Sequence, residues 1–200
     1  MEQQAEILPC FPLSIFLFPG EDQPLHIFEP RYKQLIDDAR TRGITFAIPF
    51  LIDQEIQEFG CEVRLKDVVA EKEDGSMVIV VESLAIIEVS AYSKQLEGKL
   101  YAAGTIKRLL CDDPIISKDL LELIDSYRTK YDHEFLNSKQ DAILSRKDVI
   151  IALNLPSDEK YKFICMSGTE QREGFLAGQL RYLSLIRRQE ALLGEDFGLN

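Results

Sequence analysis

The chain has 200 residues, 46% of them hydrophobic, with 34 Asp or Glu against 23 Lys or Arg and a net charge of −11. That apolar fraction suits a globular protein and excludes a disordered one, while the acidic balance repels phosphate backbones and argues against nucleic acid as a partner. No apolar run approaches the roughly 18–20 residues that cross a bilayer, and the acidic start MEQQAE is unlike a signal peptide's basic head, so a cytoplasmic protein with no membrane partner is expected.

The first structured stretch is punctuated by Pro9, Pro12, Pro19, Pro24 and Pro30. Between Pro12 and Pro19, LSIFLF reads as a strand apolar on both faces, with Phe11, Leu13, Ile15 and Leu17 on one side and Phe16 and Phe18 on the other. Such a strand must be covered twice. Pro19-Gly20 breaks it, and a short strand, Leu25 to Phe28, follows Pro24. Glu29-Pro30-Arg31-Tyr32 opens a helix: proline suits the first turn, and Glu29 puts negative charge at the positive helix end. Tyr32, Leu35, Ile36 and Ala39 form one helical face, and Gly43 is placed to stop the helix.

A third strand is expected over Ile44 to Ile52, with Pro49 marking an edge or a bulge, and then a loop from Asp53 to Phe59. The Asp74-Gly75 turn predicts a long hairpin from about Cys61 to Val89, and another strand is expected from Leu100 to Leu110. Helical spacing then takes over. Ser117 caps a helix whose apolar positions are Leu120, Ile124, Tyr127, Tyr131 and Phe135. Ser145 and Asp148 form a capping box, Pro156 ends that helix, Ser157 caps a short one, and Thr169 caps a last helix ending near Leu193 before Gly194. Leu176, Leu180, Leu183 and Ile186 share one face of it. The change of period near Asp112-Asp113-Pro114 predicts two parts, a β-rich 1–111 and a helical 112–200.

A search for chemistry yields little. The Gly98-Lys99 pair lacks the upstream glycine and following hydroxyl of a phosphate loop. His26 and His133 are far apart, the four cysteines (Cys10, Cys61, Cys111, Cys165) are scattered and read as buried reduced thiols, and no zinc spacing is present. No Gly-x-Ser-x-Gly elbow occurs. His26 reads as a hydrogen-bonded structural residue of its strand, Glu29 and Arg31 as parts of a helix start, and the aromatic spacing Tyr127, Tyr131 and Phe135 as helix core. No catalytic, cofactor or metal residue is expected.

The opening resembles the Lon-protease N-terminal domain family through Leu8, Pro9, Phe11 to Leu13, Phe18 to Gly20 and the ungapped run Pro24 to Tyr32. Its motif residues are Phe18, Pro19, Gly20, Pro24, His26, Phe28, Glu29, Pro30, Arg31 and Tyr32. Gly60, the Asp74-Gly75 turn, Tyr101 and Asn154-Leu155-Pro156 extend it, whereas Ser83 stands where a glycine is common and Cys61 where a small polar residue is. The resemblance implies an α+β fold, a PUA-like β pseudo-barrel followed by a helical C-terminal subdomain ending in a long helix. With no ATPase motif and no room for a peptidase in the 200 residues, the chain looks like a stand-alone member of that family or a cut-out of a longer one, in either case a non-catalytic module that binds unfolded or damaged protein through an apolar surface, with a separate ATPase or protease as partner. A small-molecule or nucleic-acid binder of PUA-like fold, or an unrecognised hydrolase, is the alternative.

Overall fold

A computed structural model describes residues 5–109, 114, 115, 117–136 and 144–197. The chain divides into two compact units, Met1–Cys111 and Asp112–Asn200.

In the first unit the strands are β1 (Glu6–Cys10), β2 (Asp22–Ile27), β3 (Phe46–Ile52), β4 (Glu55–Glu71), β5 (Met77–Ser93) and β6 (Ala102–Leu109), with one helix, α1 (Pro30–Arg42). Their order in the sheet is β2-β5-β4-β3-β1-β6, and β6 returns to pair with β5. Five strands therefore close into a ring, which removes most free edges. β2 lies outside the ring, against β5.

β5 makes the closure possible. Met77 to Glu82 pair with β2, and Ile86 to Ser93 pair with β6. β4 runs along the other edge from Glu71↔Met77 to Phe59↔Glu88, with three register shifts. Bulges bend and twist a strand, which is how one long strand can turn from one neighbour to the next. At the changeover, buried Ser83 bonds to the Pro19-Gly20 segment. Its N–H donates to Glu21 O (2.9 Å), its carbonyl accepts from Gly20 N–H (2.8 Å), and its hydroxyl donates to Leu17 O (3.4 Å). Gly20 has φ 96°, which explains a glycine after Pro19.

The segment from Phe11 to Phe18 is not a strand. Phe11 N–H donates to Ala47 O (2.8 Å) and Leu13 N–H to Pro49 O (3.2 Å), so the chain runs beside β3 for three residues and then leaves it. The expected burial nonetheless holds. Phe11 and Leu17 lie in the main core, with Leu13 and Ile15 against it. Phe16 and Phe18 are fully buried, and the Phe16 ring lies 6.2 Å from Phe18 and 5.7 Å from Phe50. Two-sided burial requires cover on two sides, not a ladder.

Other expectations need correction. The second strand is Asp22–Ile27, not Leu25 to Phe28. Of the two places expected for Pro49, an edge or a bulge, β3 takes the bulge, between Pro49 and Leu51, inside the sheet. The loop expected from Asp53 to Phe59 is a two-residue turn, Asp53 (φ 50°) and Gln54 (φ 68°), with β4 starting at Glu55. Both central residues with positive φ fit the twist of a tight hairpin. Cys10 and Cys61 are buried, but Cys165 is exposed. Cys111 lies outside the described residues.

α1 forms as its sequence predicts: Pro30 opens it, Gly43 (φ 65°) closes it by donating to Ala39 O, and Tyr32, Leu35, Ile36 and Ala39 are buried. Lys33 Nζ reaches Asp74 O (2.7 Å) at the tip of the β4–β5 hairpin, where Asp74 Oδ1 also accepts from Ser76. Asp38 accepts from Lys99 Nζ and from the hydroxyl of buried Tyr101, both at 2.6 Å. These bonds hold the carboxyl of Asp38 below the usual range. A second apolar cluster, Leu8, Cys10, Ala47, Ile87, Ala102 and Ile106, belongs to the ring strands. Glu62 stands opposite Ala47 in the register and Arg108 two residues beyond Ile106, so both point to that cluster's side. Arg108 there grips both carboxylate oxygens of buried Glu62, which also accepts from Thr45 (2.7 Å).

The second unit contains α2 (Lys118–Lys130), α3 (Arg146–Ala152), α4 (Ser157–Cys165) and α5 (Thr169–Phe197). Ser117 caps α2 through Leu120 N–H, and the expected capping box of α3 is present in both directions. α2 ends at Lys130, so Phe135 is not on it. A turn carries Phe135 back instead, with its ring 5.0 Å from Tyr127. Pro156, not Ser157, holds the cap position of α4, and Gly194 lies within α5. Buried Glu173 on α5 accepts from Ser117 N–H (2.8 Å) and faces buried Arg146 at 3.7 Å, tying the starts of α2 and α3 to α5.

Candidate binding groove

The Phe18 N–H donates to the Glu21 carboxylate (2.7 Å), so Phe18, Pro19 and Gly20 shape a turn that docks on β5. Pro24 is exposed on β2, where a residue without an N–H suits an edge. His26 is exposed on the same strand, its ring 5.6 Å from that of Phe28, which is 61% exposed. Glu29 does not cap α1 with its side chain. Its carboxylate pairs with Arg31 (2.8 Å), while its backbone carbonyl accepts from Tyr32 and Lys33.

Glu29, Arg31 and Tyr32 come together in the wall of a groove of about 780 Å³. Phe11, Pro12 and Leu13 line it from the irregular segment, Leu51, Gln54, Glu55 and Ile56 from the β3–β4 turn, and Tyr92 and Lys94 from the end of β5. Tyr32 is its buried anchor. Phe11 stacks on one side at 3.8 Å, and the Arg31 guanidinium lies 4.5 Å from the ring centroid. Burial raises the Tyr32 hydroxyl above its ordinary value, and burial likewise raises Tyr92. Both therefore remain neutral donors at physiological pH. The groove combines aromatic and aliphatic area with the charges of Glu29, Arg31, Glu55 and Lys94. Among the described residues, no group of three or more His, Cys, Asp or Glu is placed to hold a metal ion.

Sequence reasoning singled out the helix start but missed Tyr92, Lys94 and the Leu51–Ile56 wall. The expected hairpin stops at about Val89, short of Tyr92, whereas β5 runs on to Ser93, and nothing in strand alternation shows that Tyr92 faces residues sixty positions earlier. The helical unit carries a groove of its own, about 680 Å³, lined by Leu153 to Pro156, Phe175, Gly178, Tyr182 and neighbours. A Cβ at Gly178 would meet nothing within 4 Å.

A closed ring of strands, a motif helix packed on it and a separate helical unit ending in a long helix define a PUA-like α+β fold. The profile for the ATP-dependent protease La (LON) substrate-binding domain matches residues 7–172, and the chain belongs to that family. Solved structures share the fold, two of them as follows. A Lon N-terminal domain protein from Xanthomonas campestris is 21% identical, with a TM-score of 0.66 over 86% of this chain and 98% of that one. The N-terminal domain of Mycobacterium avium complex Lon protease is 11% identical, with a TM-score of 0.62 over 88% of this chain and 98% of that one. No curated protein matches the chain. Among the described residues, no helix is long and apolar enough to cross a membrane.

Proposed function

We propose that this protein binds unfolded or damaged polypeptide without cleaving it, through the apolar part of the groove at the start of α1, and works in the cytoplasm beside a separate ATPase or protease. The observation that carries this reading is the position of the family's motif: Arg31 and Tyr32 stand in the groove wall, with Phe11 stacked behind. Non-native chains expose apolar side chains and free backbone, and a half-buried aromatic groove takes up the former at about 25 cal/mol per Å² of area removed from water. Membership of a substrate-binding family supports protein as the ligand. The net charge of −11 disfavours nucleic acid and favours basic segments of a client.

The test is fluorescence anisotropy with labelled, reduced and unfolded casein, with and without ATP, followed by gel analysis of the casein. Binding without fragments, weakened at least fivefold by Tyr92→Ala but not by Tyr182→Ala on α5, is expected. Affinity no better than that of a folded protein of similar charge refutes the proposal.

A further inference from the structure

The β4–β5 hairpin stops pairing before its arms end. The last paired residues are Phe59 and Glu88. Beyond them, β4 continues to Glu55 bonded to β3, through Leu51↔Ile56 and Ile52↔Glu55. β5 continues to Ser93 bonded to β6, through Ala91↔Thr105, Tyr92↔Gly104 and Ser93↔Ala103. Had the ladder run on, Ile56 would stand opposite Ala91. Instead, both arms supply walls of the groove, Glu55 and Ile56 on one side and Tyr92 on the other. A bulge between Val89 and Ala91 supplies the extra twist that parts them.

Each arm thus has one edge satisfied by its outer neighbour and one turned toward the groove. Ser90, Ala91, Tyr92 and Ser93 are exposed, as are Glu55 and Glu58. Unpaired strand edges recruit an extended backbone, because every N–H and C=O along them seeks a partner. Other edges are open too, but each carries the usual protections against pairing: β2 is short and has Pro24 and the Asp22–Lys66 ion pair, Arg64–Glu71 of β4 beyond its pairing with β3 is rich in charge, and β1 before Cys10 has Glu6 and Pro9. The edges at the groove have no proline.

We propose that the client enters the groove as an extended segment that pairs its backbone with one of the two edges, Val89–Ser93 or Glu55–Glu58, seating an apolar side chain against Tyr32 and Tyr92. This rests on the reading of the groove as a polypeptide site and specifies how the polypeptide is held. Backbone pairing explains tolerance of many client sequences, since N–H and C=O groups are common to all of them. It requires only that the client be unfolded there and free of proline.

The test uses the full chain and a fluorescent ten-residue peptide of alternating Val and Thr with one central Phe. Two variants carry N-methyl groups on alternate residues, one on the odd set and one on the even. Hydrogen exchange of the protein is followed with saturating peptide and, separately, with saturating unfolded casein. One N-methyl set is expected to weaken binding at least tenfold and the other less than twofold, with exchange slowed at least tenfold at amides within 55–58 or 89–93. Equal effects of the two sets, or binding of peptide or casein with no slowed exchange in those stretches, overturns strand pairing and leaves the groove reading intact. If neither ligand binds, both fall.

Discussion

The ring of Phe11 lies 3.8 Å from that of Tyr32, with 28° between the planes, so the irregular N-terminal segment and the first turn of α1 are joined face to face. Neither residue is held to the other by backbone pairing, and the stack fixes the back wall of the groove. Tyr32→Ala is expected to lower unfolding free energy by about 3 kcal/mol, as for other buried aromatics. Tyr32→Phe, which keeps the ring, should cost less than about 1 kcal/mol. Urea titration followed by circular dichroism measures both. Equal costs for the two variants would show that the hydroxyl, not the stack, matters.

Glu62 gives the β unit a dependence on acid. Burial by itself raises its carboxyl, but hydrogen bonds from Arg108 and Thr45 and the charge of Arg108 outweigh that and leave it lowered from 4.5. A carboxyl lowered in the folded state contributes its full stabilisation above its unfolded value and loses it as pH falls through the folded one. Stability should therefore decline below about pH 4.5, and Glu62→Gln should flatten that decline. At pH 7 the variant should be less stable by about 1–2 kcal/mol, a modest figure because the Arg108 side chain is 38% exposed. Chemical denaturation at pH 3, 4, 5 and 7 checks the slope.

Gly60 is a position where backbone meets backbone. A Cβ there would lie 2.4 Å from Ile48 O and 2.9 Å from Pro49 Cα. Strand β3 cannot yield without breaking its pairing on both sides, so Gly60→Ala should cost roughly 3 kcal/mol or more, in the range of other severe backbone clashes. A variant with an unchanged melting temperature would show that β3 shifts freely at its Pro49 bulge.

The thiols should separate cleanly by rate. Burial pushes the Cys10 thiol up to about 12, whereas Cys165 is exposed at the end of α4. In a Cys111→Ser background, one thiol should react with Ellman's reagent within minutes at pH 8, and Cys10 and Cys61 only as fast as the β unit opens. Cys165→Ser should remove the fast phase alone.

Much of the fold was legible because local chemistry and final structure agree. Gly43 had to stop α1, Ser145 and Asp148 had to start α3, and Asp74-Gly75 had to turn the hairpin. The failures share another cause. Apolar residues on both sides of Leu13 to Phe18 encode burial, and burial alone does not specify a strand. Asp53 and Gln54 turn the chain with positive φ and no glycine, so the polar stretch after them looked like loop. Tyr131 and Phe135 keep helical spacing past the helix end, because a tight turn brings Phe135 to Tyr127 as a continued helix would. The groove was legible only at Glu29 to Tyr32. Its other walls come from residues 11–13, 51–56 and 92–94, which meet only when the ring closes.

That closure sets an order of events during synthesis. β1 is antiparallel to β6, from Glu6↔Ile106 to Cys10↔Ala102. The earliest strand of the unit waits for its main partner until nearly all of that unit has left the ribosome. Until then Leu8 and Cys10 remain uncovered on the nascent chain, and the protein is for that interval the kind of sticky client that it is proposed to hold.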